Sequence, residues 1–314
     1  INAYAFPGGS IAVTRGILLK LENEAELAGL LGHELGHVNA RHAAEQMTKG
    51  QLSSILVQGL AAVASSQGGA SLGQLTQQLG ALSQGLLLSK YSRDNEREAD
   101  ALGNEYMVKS GYPTRGFVGL MEMLDSLHKK GRGASSVLFS THPMSSERLM
   151  AAHQRQDGIY SPSNAASVNR ERYMDNIAAL WVKKEGIQML QEAESLMAKK
   201  DYDTAQKTIA AAFRKRMDRD FTARMLMAKC LMFKEQPSHA IPHANMAKQL
   251  YPDQIQAYYL AGVAYASTKQ YARAYQDFDK CDRILPGNPQ MTFLKGYTLE
   301  NRGDKKPAAE HYMK

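Results

Sequence analysis

His33 and His37 stand four residues apart around Glu34 in the stretch "GLLGHELGHVNARH", Gly29–His42. On a helix, positions i and i+4 share a face one turn apart, so two imidazoles can grip one metal ion from the same side. Glu34 is rotated by one residue. It borders such an ion without binding it, which suits a base that takes a proton from an activated water. Gly32, Leu35, Gly36 and Val38 are uncharged, so this turn can pack and exclude water. A catalytic zinc needs three protein ligands and an open position. "SRDNEREAD" offers the third: Glu96 and Asp100 are four apart and share one face of a second helix. Glu96 can bind the ion. Asp100 can accept a hydrogen bond from a ligand histidine's other nitrogen and so fix its tautomer. The competing reading is two exposed histidines and a solvated, charged helix start. On the metal reading the expectation is one Zn2+ per chain.

Other elements must position these groups. "INAYAFPGGSIAVTRGIL" predicts a β-hairpin turning at Pro7-Gly8-Gly9. The helix carrying His33 starts with Asn23 and Glu26 at capping-box spacing, and Leu27, Leu30, Leu31, Leu35 and Val38 recur at helical spacing. Residues 50–90 are rich in Gly, Ser, Ala and Gln. They predict two helices, about 51–64 and 72–88, joined by a segment near 65–74 that is either a lid or an ordinary surface loop. The Glu96 helix is stopped by Gly111 and Pro113, "TRGFVGLMEMLDSLHKK" forms the next helix, and 156–170 reads as a linker.

The remainder repeats itself. Pro252, Ala240, Ala228 and Leu231 fall 34 residues before Pro286, Ala274, Gly262 and Tyr265, and Gly296 and Ala308 continue the period. An earlier copy is one residue out of phase, with Ala193 and Ala205 placed 35 before Ala228 and Ala240. This pattern resembles the tetratricopeptide repeat: helical hairpins that approach closely at small residues and stack into a solenoid with a concave binding face.

"HELGH", followed about 60 residues later by "SRDNEREAD", resembles the gluzincin peptidases of the CAAX prenyl protease type. The opening "NAYAFPGGSIAVTRGIL" is similar to the strand that precedes their active-site helix. The resemblance implies that Glu96 is the third ligand. It also points to "STHPMSSERL", where His142 and Arg148 take the places of the family's H-P-x-x-x-x-R pattern. A histidine there approaches the open metal position or stabilises an oxyanion; bound to zinc, it would hold the enzyme off. The expected fold is α+β: a mostly helical zincin-like metallopeptidase domain over 1–170, then an all-α solenoid over 171–314 of about four repeats, the last incomplete. The combination is most similar to branches that serve outer-membrane protein assembly in the bacterial periplasm. It implies a cleaved signal peptide, unfolded or stalled protein substrates, and docking to the assembly machinery through the repeats. Extended substrate would pair with the strand edge at Ala12, Val13 and Thr14. The rival is a zinc-plugged scaffold or chaperone acting through the repeats.

Composition sets the bounds. The chain has 314 residues, 44% of them hydrophobic, and a net charge of +7. Residues 1–181 hold 16 basic and 16 acidic side chains, and 182–314 hold 22 and 15, so all the excess lies in the second half. That half could meet an acidic partner or, peripherally, a membrane surface. It has no aromatic-basic clusters, so nucleic acid is not expected as a partner. No transmembrane span is visible. The chain opens within a strand, so an upstream segment is expected to have been removed. Cys230 and Cys281 pair only if the fold brings them together. His42, about 140° around an ideal helix from His37, is not expected to bind the same ion. His128, His153, His239, His243 and His311 carry no site.

Overall fold

The computed structural model describes residues 1–6, 8–45, 91–130 and 136–313. The helices predicted at 51–64 and 72–88, and the segment at 65–74, lie outside the described residues. The chain forms two compact units, Ile1–Trp181 and Val182–Lys314.

The first unit opens with the predicted hairpin. Strand β1 (Ala3–Ala5) pairs antiparallel with β2 (Ile11–Val13), Ala3 facing Val13. Gly9, at φ 85°, makes the turn that a side chain would strain. A short α1 (Arg15–Leu18) leads to α2 (Glu24–Asn39), whose Asn23 cap accepts from Glu26 N at 2.9 Å. The Glu26 carboxylate accepts in return from Glu22 N and Asn23 Nδ2, both at 2.7 Å. Helix α3 (Arg93–Lys109) starts in a capping box at Ser92 and ends before Gly111, at φ 80°. Then come α4 (Arg115–Lys130), α5 (Ser136–Thr141), α6 (Ser146–Asp157) and α7 (Arg170–Trp181). Ile17, Leu21, Leu30, Met107, Phe117 and Met121 form the core between α1, α2, α3 and α4.

The stretch 156–170 is no free linker. Ser163 Oγ accepts from Thr114 N, Ala166 O accepts from Arg115 Nη2, and Val168 O accepts from Ala25 N. These bonds tie it over the starts of α2 and α4. Helix α7 follows it into the same unit: Tyr173 is buried and donates to Leu18 O at 2.7 Å. The units therefore divide after Trp181, not after residue 170.

The second unit is four helical hairpins: α8 (Lys184–Ala198) with α9 (Tyr202–Ala212), α10 (Phe221–Phe233) with α11 (Pro237–Leu250), α12 (Ile255–Ser267) with α13 (Tyr271–Ile284), and α14 (Pro289–Arg302) with α15 (Lys305–Tyr312). The small residues of the period sit where the helices press together. Ala193, Ala205, Ala228, Ala240 and Ala274 are buried, and a Cβ on Gly262 would lie 2.6 Å from the Phe278 ring. The one-residue phase slip lies between Ala205 and Ala228. There the chain makes a wide turn over Phe213–Met217, with Arg216 left-handed at φ 64°. Instead of the proline that follows α11 and α13, Met217 closes this turn, buried against Gly186. Cys230 and Cys281 do not pair; both are buried, Cys230 in α10 with Sγ near Tyr202 O of the preceding hairpin and Cys281 in α13 with Sγ near Ile255 O of its own.

Candidate metal centre

Helices α2 and α3 meet main chain to main chain. Gly32 and Gly36 lie on the α2 face that abuts α3, where a Cβ on Gly36 would sit 2.8 Å from Ala99 O and one on Gly32 2.9 Å from Gly103 O. From the other side, a Cβ on Gly103 would sit 2.9 Å from His33 N. In the sequence these glycines read only as uncharged flanks. They let His33 and His37 reach Glu96 and Asp100. Gly36→Ala forces the helices apart at that point and should lower unfolding stability by about 1–3 kcal/mol. An unchanged denaturant midpoint would mean that this close contact does not constrain the fold.

Ligand atoms of His33, His37, Glu96 and His142 all lie within 4.8 Å of one another, and all four residues are buried. His37 Nε2 is 3.0 Å from His33 Nε2 and 3.2 Å from Glu96 Oε1. His142 Nδ1 is 3.1 Å from Glu96 Oε1 and 3.4 Å from His33 Nε2. Arg148 braces them from behind. Its Nε and Nη2 each donate to Asp100 at 2.7 Å, Nη1 pairs with Glu96 Oε2 at 2.6 Å, and Nη1 also donates to Pro143 O. Asp100 Oδ1 lies 2.9 Å from His33 Nδ1. Glu34 is buried at the rim. Its Oε1 is 3.8 Å from His142 Nε2, and its Oε2 has no hydrogen-bond partner among the described residues.

Two residues here were not legible in the sequence. Tyr91 stacks on His37 with centroids 3.8 Å apart. His42 places Nδ1 2.9 Å from His37 Nδ1. It does so because α2 stops at Asn39 and Arg41 turns left-handed (φ 58°), which swings the chain back and voids the ideal-helix angle.

Burial pushes the His37 imidazole down to about 3, so it is neutral. Burial alone would raise the Glu96 and Asp100 carboxyls. Nearby His142, Arg148 and His33 outweigh it for Glu96, and Arg148 and His33 do so for Asp100, so both lie below their usual values. Burial disfavours the His142 cation, yet the charges of Glu96 and Glu34 hold this imidazole above its ordinary value. With the imidazoles neutral, the buried Glu34, Glu96, Asp100 and Arg148 sum to −2, and a proton on His142 reduces this to −1. A divalent cation would offset that charge. Donors bound at 2.0–2.1 Å to a tetrahedral ion stand about 3.3 Å apart; four of the donor pairs here lie at 3.0–3.4 Å, close to that spacing, and His33 Nε2 lies 3.6 Å from Glu96 Oε2. These residues fit a bound metal.

Residues 1–156 match the sequence model of Peptidase family M48, and residues 255–288 match that of the Tetratricopeptide repeat. The first unit is an M48 peptidase domain. The chain is 38% identical to Metalloprotease YcaL of Escherichia coli (strain K12) over 156 residues, 49% of this chain and 58% of that one. It is 33% identical to the Beta-barrel assembly-enhancing protease of the same strain, over 49% of this chain and 32% of that one. To Metalloprotease LoiP, also of that strain, it is 33% identical over 51% and 61%. It thus spans about a third to three fifths of these curated relatives.

In the M48 domain the hairpin edge is only partly open. Thr14 N donates to Asn2 O and Phe6 N to Ser10 O, so by antiparallel alternation Tyr4 and Ala12 form the bonded pair between them. The backbone groups of Ala12 and Thr14 therefore face β1. Those of Ile11 and Val13 face the outer edge. A narrow apolar cavity beside Glu34 and His142 is lined by Ile17, Leu30, Phe117, Leu120, Met121 and Leu138.

Proposed function

We propose that this chain is a zinc-dependent endopeptidase acting on unfolded or stalled protein segments in the bacterial periplasm. The supporting observation is the buried group of His33, His37, Glu96 and His142 beside the unpartnered Glu34 Oε2, within an M48 domain. Bound by His33, His37 and Glu96, zinc would supply a Lewis acid that polarises the scissile carbonyl and activates water. The protein's own groups do the rest. Glu34 accepts the proton of the attacking water and returns it to the leaving amine. Asp100, held by Nε and Nη2 of Arg148, stands 2.9 Å from His33 Nδ1 and keeps His33 oriented with Nε2 toward the donor group. An extended substrate pairs with the outer edge of β2, chiefly at Val13 and less at Ala12 and Thr14, whose backbone groups are already engaged.

The repeats, in this reading, dock a client or a component of outer-membrane assembly, the process named for one of the relatives. No helix among the described residues is long and apolar enough to cross a membrane, which leaves peripheral contact for the basic half. Metal analysis should give one zinc per chain, and a chelator should abolish casein digestion. Absence of zinc from the purified chain, or digestion that survives its removal, would end this reading.

A second reading has its own support. His142 Nδ1 lies among the other donors, where with zinc bound it would take the place that substrate and water need. In that resting state the chain is plugged and acts as a scaffold or chaperone through its repeats. His142→Ala should raise casein cleavage several-fold and remove one nitrogen donor from the X-ray absorption spectrum of the zinc-loaded chain. Unchanged cleavage and coordination would show that His142 does not cap the site.

A further inference from the structure

The two helix histidines are braced differently on the side away from the donor group. His33 Nδ1 meets a carboxylate, Asp100 Oδ1, at 2.9 Å. His37 Nδ1 instead meets another imidazole, His42 Nδ1, at 2.9 Å. His42 is 2% exposed, and its Nε2 lies 3.2 Å from Oε2 of Glu98, a largely exposed residue of α3. A neutral imidazole carries one proton, so each ring donates from one nitrogen and accepts at the other. With both rings neutral, only one assignment satisfies both of these outer contacts. Glu98 accepts from His42 Nε2–H, His42 Nδ1 then accepts from His37 Nδ1–H, and the His37 Nε2 lone pair faces Glu96 and His33. The opposite assignment sets a lone pair of His42 against the Glu98 carboxylate, although it lets His37 Nε2–H donate to Glu96 Oε1, 3.2 Å away, when no cation occupies the donor group; the two tautomers therefore set the Glu98–His42 contact against the Glu96 contact.

We infer that His42 is a positioning residue: with Glu98 it forms a relay that locks His37 in its Nδ1–H tautomer, its Nε2 lone pair presented to a metal. The consequence for zinc affinity rests on the function proposed above; the tautomer does not. Outer partners of this kind are commonly worth 10–100-fold in metal affinity. Here the partner is an imidazole that conveys the charge of a surface carboxylate to a fully buried ligand.

The experiment uses the full chain, labelled with 15N-histidine and metal-free, near pH 8, where exposed imidazoles are neutral. Two-bond 1H–15N spectra report each tautomer, and the His37 signals are assigned by their loss in His37→Gln. The parent should show His37 as Nδ1–H. In His42→Phe, which keeps a ring but removes the acceptor, His37 should revert largely to Nε2–H while His33, held by Asp100, stays as it was. His42→Asn, whose Oδ1 stands near the lost Nδ1, should restore the parent pattern. In competition with a chromophoric chelator, zinc should bind His42→Phe about 10–100-fold more weakly than the parent, and His42→Asn within a few-fold of it.

If metal-free His37 in the parent carries its proton on Nε2, or keeps the same tautomer in His42→Phe, the relay is wrong, whatever zinc does. If the parent binds no zinc but His37 switches tautomer in His42→Phe, the relay stands and the zinc reading falls. Equal zinc affinity of parent and His42→Phe overturns the consequence for affinity. Should His42→Phe not fold, Glu98→Leu on the surface replaces it, and an unmoved His37 tautomer there overturns the relay.

Discussion

Glu34→Gln should bind zinc as the parent does and lose peptide cleavage by roughly 10²–10⁴-fold, the usual worth of a positioned general base. The substitution keeps the shape of a buried side chain and replaces one oxygen with an amide nitrogen. The change falls on the atom pair that matters, because Oε2 has no partner among the described residues while Oε1 looks toward His142 Nε2 at 3.8 Å. An amide cannot take a proton from water at neutral pH, so the loss should appear in kcat, with KM little changed. Metal content and thermal midpoint are the controls. A zinc-loaded, folded Glu34→Gln that still cleaves casein would remove Glu34 from the role of base.

Arg148→Met should be the most damaging change to stability in the domain, costing about 3–5 kcal/mol. One guanidinium holds Asp100 with two hydrogen bonds, pairs with Glu96 and fixes the Pro143 carbonyl beside His142. Methionine fills similar space but leaves two almost fully buried carboxylates facing each other without a cation. Part of the loss should return when zinc is added, because the ion supplies the missing positive charge. Urea unfolding with and without zinc measures both quantities. Equal stability of Arg148→Met and parent in the metal-free state would show that the carboxylates are compensated elsewhere.

Much of this centre was legible in the sequence, for a definite reason. His33, Glu34 and His37 belong to one helix, and so do Glu96 and Asp100, and the period of a helix alone says which of them share a face. His142 and Arg148 lie on a loop and the helix after it, where no period speaks, and only the family resemblance pointed to them. His42 stays out of the donor group, as expected, but its contact with His37 was hidden, because the chain leaves the helix after Asn39 and turns at Arg41, a non-glycine in a left-handed conformation that nothing in "NARH" announces. Tyr91 was missed because stacking across elements leaves no local pattern. The boundary at 170 failed for a related reason: Ser, Pro and Asn mark irregular backbone, and irregular backbone can be pinned, as Ser163, Ala166 and Val168 are. In the repeats, the 35-residue step was visible as arithmetic, and its seat at Phe213–Met217 emerged only in three dimensions.

The glycine contact between α2 and α3 has a bearing on which ions are admitted. Where helices meet through side chains, rotamers can shift and a cage can widen. At Gly32, Gly36 and Gly103 the walls are backbone, with no compliant layer between them. Calcium, with bonds of about 2.3–2.6 Å and six to eight oxygen ligands, would need a wider and more oxygen-rich cage than three imidazoles and one carboxylate on such rigid walls provide. Selectivity against the abundant hard cations would then be built into the spine of the fold.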